Sequence, residues 1–354
     1  MTLLRLLLLV ALFFAVAAVA VGWFVFVPRL PEPTGPHAVL REAATIQDSA
    51  GRPVAIEIWR PRDLAPSSPL VLYSPGWGGT RLQSHVQVAN LASHGFVVVG
   101  CDDIASDPAN DPEHGVALEL TTDADTAASI ARAGRHAVVQ GKRLHDVLAA
   151  LAAGHVASLA NRLDLAHVGV LGYSIGGAAG LAAAATDPRI VAVFNIDGGL
   201  FGPAPDGIAV DNYFLLSSVE AFPTAQELAS SDPFTRNYAR ISAMDIPRNT
   251  QRMARPHGYW AQIPTAGHGE LSDGLFARSG GHWVGRYWAD WRSGRTNFRR
   301  AAVNRTIEGL EVAFFRSALL NDDGPLRSRL GRDDQIVRWI SPTSPSAGAA
   351  KARQ

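Results

Sequence analysis

The sequence predicts an α/β fold: a mostly parallel sheet covered by helices on both faces. Three observations carry that expectation. Short runs of β-branched and aromatic residues alternate with longer helical patterns. Several of the runs are apolar at every position, as strands buried on both faces must be. A glycine-flanked serine stands between one such run and a helix of small residues. The chain has 354 residues, and an α/β body of about 300 commonly forms one domain.

Taken in order, the first element is apolar. Leu6 to Val27 are 22 residues without a charge, preceded by Arg5 and followed by Pro28 and Arg29. A signal-peptide core needs about 7–15 residues and a bilayer span about 20. Residues 1–30 are therefore expected to be an uncleaved transmembrane anchor, with the body on the outer, periplasmic or extracellular, side. The alternative is a cleaved signal using the small residues Ala15 to Ala20, which would leave the body secreted. Pro28 to Pro36 reads as a stiff extended tether. Residues 31–340 form the single body, and 341–354, rich in Ser, Pro, Ala and Gly, read as a disordered tail.

Within the body, Val54 to Trp59 alternates like an early strand, and Leu70 to Tyr73 is a short buried one ending in the turn Ser74-Pro75-Gly76. Leu82 to His94 suits a helix closed by Gly95. Phe96 to Val99 is a second buried strand, and Leu144, Val147, Leu148 and Leu151 fall at helical spacing. Val168 to Leu171, Ile190 to Ile196, Tyr213 to Leu216 and lastly Gly258 to Ile263 are further strands. Gly176 to Ala185 and Thr306 to Leu320 are helices.

The composition excludes several functions. Lys and Arg number 32 against 32 Asp and Glu, without the cationic excess that phosphate-binding surfaces show, so no nucleic-acid partner is expected. Only Lys142 and Lys351 are lysines, which reads as genome composition. The single cysteine, Cys101, cannot form an intrachain disulfide or a cysteine-only metal site. It ends an apolar run and is expected to be a small buried hydrophobe.

Chemistry concentrates where a parallel sheet presents its strands' carboxyl ends. Gly172-Tyr173-Ser174-Ile175-Gly176-Gly177 follows Val168 to Leu171 and opens the small-residue helix. A serine nucleophile at so tight a turn needs neighbours without bulk two positions either side, which Gly172 and Gly176 provide, and the helix amino terminus favours negative charge beside it. Its hydroxyl needs a base, and the base needs an orienting carboxylate. Among 11 histidines, His268 follows the last strand in a glycine-flanked loop; His257 and His282 are its nearest rivals. For the acid, Asp197 and Glu220 end successive strands, and the residues alone leave the two even. The oxyanion donors expected are the backbone N–H of Ile175 and that of Trp77, in the glycine loop after Leu70 to Tyr73. This chemistry requires no metal or organic cofactor.

On these motifs, Ser74-Pro75-Gly76-Trp77-Gly78-Gly79, Gly172 to Gly177, Asn195 to Gly199 and Gly267 to Asp273, the chain resembles the α/β-hydrolases. Within them it resembles platelet-activating-factor acetylhydrolase-like (type II) serine esterases. The resemblance covers roughly Leu70 to Ser279. It implies an α/β-hydrolase fold, favours Asp197 over Glu220 as the acid, and maps base and oxyanion donors onto His268, Trp77 and Ile175. Pro75 and Tyr173 replace histidines usual in that family, at positions expected to line the pocket.

The expected function is thus a serine carboxylic-ester hydrolase acting on lipid or small acyl esters. The other classes are different serine acyl chemistry, as in an acyltransferase or peptidase, and a non-catalytic binding protein at the membrane. Two weaker features remain. Asp102 to Asp125 hold eight acidic residues without Lys or Arg, expected to be a solvated insertion bordering the pocket as a lid. Trp283, Tyr287, Trp288 and Trp291 recur at helical spacing among Arg286, Arg292 and Arg295, with core packing the expectation and an interfacial surface the alternative.

Overall fold

The computed structural model describes residues 3–106, 118–201, 210–277 and 283–341. The elements in chain order are α1 (Leu3–Phe26), β1 (Val39–Gln47), β2 (Pro53–Pro61), β3 (Ser68–Ser74), α2 (His85–Ser93), β4 (Val97–Cys101) and α3 (Asp123–Ala152). There follow β5 (Leu163–Tyr173), α4 (Ile175–Ala184), β6 (Ile190–Ile196), β7 (Asn212–Ser217), α5 (Ala225–Leu228), α6 (Pro233–Met253) and β8 (Gly258–Gln262). The last are α7 (Trp283–Arg292), α8 (Asn297–Leu320), α9 (Gly324–Arg327) and β9 (Arg338–Trp339).

Among the described residues the strands form one sheet in the order β1-β2-β4-β3-β5-β6-β7-β8-β9. The six from β4 to β8 run parallel, and antiparallel pairs close both edges. This is the mixed, mostly parallel sheet that the apolar runs predict.

Alternation along the central strands explains why both faces are covered. Leu70, Leu72, Val168, Val170 and Val193 point to one side, against Leu144 and Leu148 of α3 and Leu181 of α4. Val71, Leu171, Phe194 and Phe214 point to the other, against Leu91 of α2 and Phe314 and Phe315 of α8. Phe194 stacks on Phe214 at 4.6 Å between centroids and meets Phe314 edge-on at 5.6 Å. Each such side chain, removed fully from water, contributes about 1.5–3 kcal/mol. The parallel register places Ser74 beside Gly172, Tyr173 beside Ile196, and Ile196 beside Leu216. The ends of β3, β5, β6 and β7 therefore form one edge.

Several expectations need correction. Val54 to Trp59 lies in the early strand β2 as expected, but β1, absent from the expected strands, precedes it and pairs with it antiparallel. Burial in β1 alternates from Leu40 on, but its inward positions include Glu42 and Ala44, so the residue types carry no clear strand pattern. Gly258 to Ile263 is followed by the short edge strand β9. The closing helix begins at Asn297, where Thr296 accepts a hydrogen bond from the Arg299 N–H as its cap, not at Thr306. The long helix α6 is an element the expectations lack, and it carries Pro247 inside it.

Pro28 to Pro36 is non-helical as expected, and its end is laid along α2, with Thr34 N–H donating to Asn90 and Gly35 N–H to Ser93. Trp288 and Trp291 are exposed, against the expectation of core packing. The side chains of Trp283, Arg286 and Tyr287 lie outside the described set, as do residues 107–117 of the acidic stretch and 342–354 of the tail. Asp103, within that stretch, is fully buried and not solvated.

Candidate active site

Ser174 stands between β5 and α4 with φ 55° and ψ −128°. A non-glycine residue held there costs on the order of 1–3 kcal/mol. Its hold is visible: Ser174 N–H donates to Ile196 O at 2.8 Å, and its carbonyl accepts from Gly177 N–H at 2.9 Å. The two flanking glycines meet steric demands. A Cβ on Gly172 would strike the Gly176 backbone, and one on Gly176 would strike the carbonyls of Ser74 and Pro75. Gly172 thus lets β5 turn tightly into α4, and Gly176 lets α4 approach the end of β3.

His268 opens a single 3-10 turn just past β8. Its Nε2 lies 3.0 Å from Ser174 Oγ and its Nδ1 2.8 Å from Asp197 Oδ2. Asp197 itself has φ 53° and projects from the end of β6 across β7, where Ser218 N–H donates to its other oxygen at 2.7 Å. The structure thus brings Ser174, His268 and Asp197 into one hydrogen-bonded row. Glu220, the other candidate acid, does not face the imidazole nitrogens. Its carboxylate accepts the His268 backbone N–H at 3.2 Å and the Tyr238 hydroxyl at 3.0 Å.

Burial pulls the His268 pKa down, but the hydrogen bond and charge of Asp197, with the charge of Glu220, outweigh it. The imidazole ends above its ordinary value. Tyr173 contributes to its placement, stacking on the ring at 5.0 Å while its hydroxyl donates to the His268 carbonyl at 3.1 Å. Pro75 and Tyr173 are absent from the cavity wall, contrary to expectation: Tyr173 lies behind the imidazole.

The loop Ser74 to Gly79 passes close to the serine, since a Cβ on Gly76 would come within 3.3 Å of Ser174 Cβ. Buried polar groups hold this loop. Gly78 N–H donates to Asp103 Oδ1 at 2.9 Å and Gly76 N–H to Gln83 at 2.9 Å. Asp103 Oδ2 pairs with His136 Nε2 at 2.8 Å, and the His136 ring stacks under Trp77 at 4.3 Å with 17° between planes. Gln140 reaches the same loop through Ser74 Oγ at 3.3 Å.

Sequence reasoning missed the Asp103–His136 pair. The available signal is an acidic residue just past the end of β4, on the same edge as Ser174, which the surrounding acidic run masks.

A cavity of about 510 Å³ opens onto Ser174, His268, Asp197, Trp77 and Ile175. Its far wall is mostly apolar, with Phe201, Leu215, Phe234, Ile241 and Trp260. Leu118, which follows the undescribed residues 107–117, also touches it. The rival His257 precedes β8, at the opposite strand end from Ser174, and His282 lies outside the described residues. Cys101 is buried, and burial pushes its thiol up to about 12. Among the described residues no group of three or more His, Cys, Asp or Glu side chains is arranged to hold a metal ion.

No protein-family model and no curated protein sequence matches the chain. Among solved structures, the ferulic acid esterase from Streptomyces cinnamoneus superposes with a TM-score of 0.60 and 21% identity, over 89% of this chain and all of that one. That likeness is one of fold: the chain has the architecture of an α/β-hydrolase.

Proposed function

We propose that the protein is a serine carboxylic-ester hydrolase whose nucleophile, base and acid are Ser174, His268 and Asp197. The observation that carries this reading is the row of two hydrogen bonds, 3.0 Å and 2.8 Å, ending at a serine that faces an apolar cavity. Ser174 Oγ attacks the ester carbonyl as His268 Nε2 takes its proton. Asp197 fixes the imidazole tautomer and stabilises the imidazolium. The backbone N–H groups of Trp77 and Ile175 receive the oxyanion. His268 then protonates the leaving alcohol, and water repeats the sequence on the acyl-enzyme, returning free acid and Ser174.

The fold shared with a ferulic acid esterase supports ester chemistry in general terms. The apolar wall favours an ester with a hydrophobic acyl or aryl part. The resemblance to acetylhydrolase-like esterases points to lipid or small acyl esters, and the apolar helix α1 suits an anchored enzyme working where such esters gather. Acyl transfer and peptide hydrolysis would use the same residues.

A p-nitrophenyl series from acetyl to palmitoyl, with Ser174→Ala beside it, tests the reading. Serine-dependent release of nitrophenol with free acid as the product is expected. Retained activity in Ser174→Ala would remove that residue from its role. Preferential formation of a new ester or amide with an added alcohol or amine would reassign the protein to acyl transfer.

A further inference from the structure

Large aromatic side chains stand in solvent at one corner of the body, where α1 meets α7 and α8. Trp288 is 59% exposed, Trp291 61% and Phe298 64%, and Trp23 and Phe24 in the last turns of α1 are 53% exposed each. They are neighbours. Phe298 meets Phe24 edge-on at 6.3 Å between centroids, and Trp288 meets Trp291 edge-on at 5.4 Å.

The same corner is bolted to the end of α1. Asn297 Nδ2 donates to the carbonyls of Phe24 and Val27 at 2.7 and 2.8 Å, and Arg300 donates to that of Phe26 at 3.1 Å. These are carbonyls that a helix end leaves without intrahelical partners. Arg300, itself buried, also pairs with Asp290 of α7 at 3.2 Å, so one guanidinium joins α1, α7 and α8.

Arg5–Phe26 is the one described helix long and apolar enough to cross a membrane, and no part of its most apolar window is buried in the protein. Its 22 residues span about 33 Å at about 1.5 Å per residue, close to the hydrocarbon thickness of a bilayer. If hydrocarbon covers α1, its Phe26 end lies at the bilayer surface. Whatever is fastened to that end lies there too. Tryptophan has its most favourable position in that layer, with the ring in the apolar part and the indole N–H among headgroups. Arg29, whose guanidinium sits 5.0 Å from the Phe24 ring, and the exposed Arg292 flank the patch with positive charge suited to phosphate groups.

We propose that Trp288 and Trp291 at the end of α7, with Phe298 of α8, form a membrane-docking surface whose occupant is the headgroup layer of the bilayer that α1 crosses. The helix is then not a loose tether but one part of a rigid two-part contact that fixes the orientation of the body. The corner is also joined to the loop bearing His268. Glu270 accepts from Arg299 at 3.0 and 3.1 Å, lies 3.2 Å from Arg295, and holds the Gly267 N–H. Resting on the esterase reading, this places the reacting edge beside the lipid surface, so amphiphilic esters reach Ser174 from the membrane.

The docking surface is testable without turnover. The only native cysteine is buried, so the full-length chain carrying Trp291→Cys or Phe298→Cys takes an environment-sensitive NBD label at the chosen position. Ala153→Cys, exposed at the opposite strand ends, is the reference. Each is reconstituted in phosphatidylcholine vesicles with a minority of phosphatidylglycerol, then with lipid bearing a headgroup nitroxide. Quenching at 291 and 298 about threefold or more above that at 153 is expected. Equal quenching at all three positions overturns the proposal, as does failure of the chain to float with the vesicles. A blue shift at 291 that follows the protein-to-lipid ratio without nitroxide quenching overturns it in favour of a second copy of the chain. Strong quenching in a chain without esterase activity would remove the enzymatic reading and leave the surface intact.

Discussion

Two sets of nearly buried carboxylates lie in this molecule, and they meet opposite fates. At the strand ends, Asp197 accepts from the Ser218 N–H and faces His268, and Asp103 accepts from Gly78 and faces His136. In α8, by contrast, Glu308 and Glu311 are buried without a backbone donor, Glu308 beside the Asn304 amide and Glu311 with no hydrogen-bond partner among the described residues. Burial pushes Glu308 up to about 7, and burial together with the charges of Glu308 and Asp273 holds Glu311 well above the usual carboxylate range. Donors decide the difference. A carboxylate that accepts backbone N–H groups can orient an imidazole, whereas burial without such donors favours the neutral acid.

The sharpest way to break this contrast is Asp197→Asn, which preserves shape and removes the charge. By analogy with other triads kcat is expected to fall on the order of 10⁴-fold, read from steady-state kinetics. If Glu220→Gln is the crippling change instead, the acid has been misassigned. Next in size is Asp103→Asn. The pair under Trp77 holds the loop but touches no substrate, so a loosened oxyanion donor is expected to cost about 10- to 100-fold in kcat with little change in KM. An equal rise in KM would make the pair part of the binding wall.

Glu220→Gln should cost about tenfold or less, and its signature lies in the pH profile. The imidazole, raised above its usual 6.5, must be neutral to act as base, so activity climbs as pH rises through that raised value. Removing the Glu220 charge lowers the imidazole's pKa and moves the acid limb of kcat/KM to lower pH. An unmoved limb would deny Glu220 any electrostatic part. Smallest for activity is Glu308→Gln, expected to leave kcat unchanged. In the folded chain this acid stays protonated from its ordinary 4.5 up to about 7. The stability it contributes is complete below the lower value and lost as pH rises through the upper. The native chain should therefore lose stability across that window by about 3 kcal/mol relative to Glu308→Gln, read from thermal unfolding. Parallel curves for the two would mean the acid is solvated.

Much of this was legible in the sequence. Leu70 to Tyr73, Val168 to Leu171 and Ile190 to Ile196 are apolar at nearly every position because both sheet faces are covered, and each lies in a strand. Gly172 and Gly176 announced the sharp turn at Ser174, and glycines announced the loops around Trp77 and His268. What stayed hidden depends on contacts distant in sequence. Residues 103 and 136 meet only because β4 and α3 converge under Trp77. Glu220 and Asp197 end adjacent strands, and only side-chain direction tells which one reaches Nδ1. The exposed Trp288 and Trp291 obey helical spacing as core residues do, and periodicity does not say which side faces out.

The central claim is that Ser174 is made nucleophilic by His268, and covalent labelling reads that directly. The full-length chain is treated with a fluorophosphonate and its peptides are mapped by mass spectrometry, with His268→Ala beside it. The account predicts one phosphonyl adduct, on Ser174, that forms orders of magnitude more slowly in the variant. No adduct, or an adduct on another residue that forms equally fast in both chains, would contradict it.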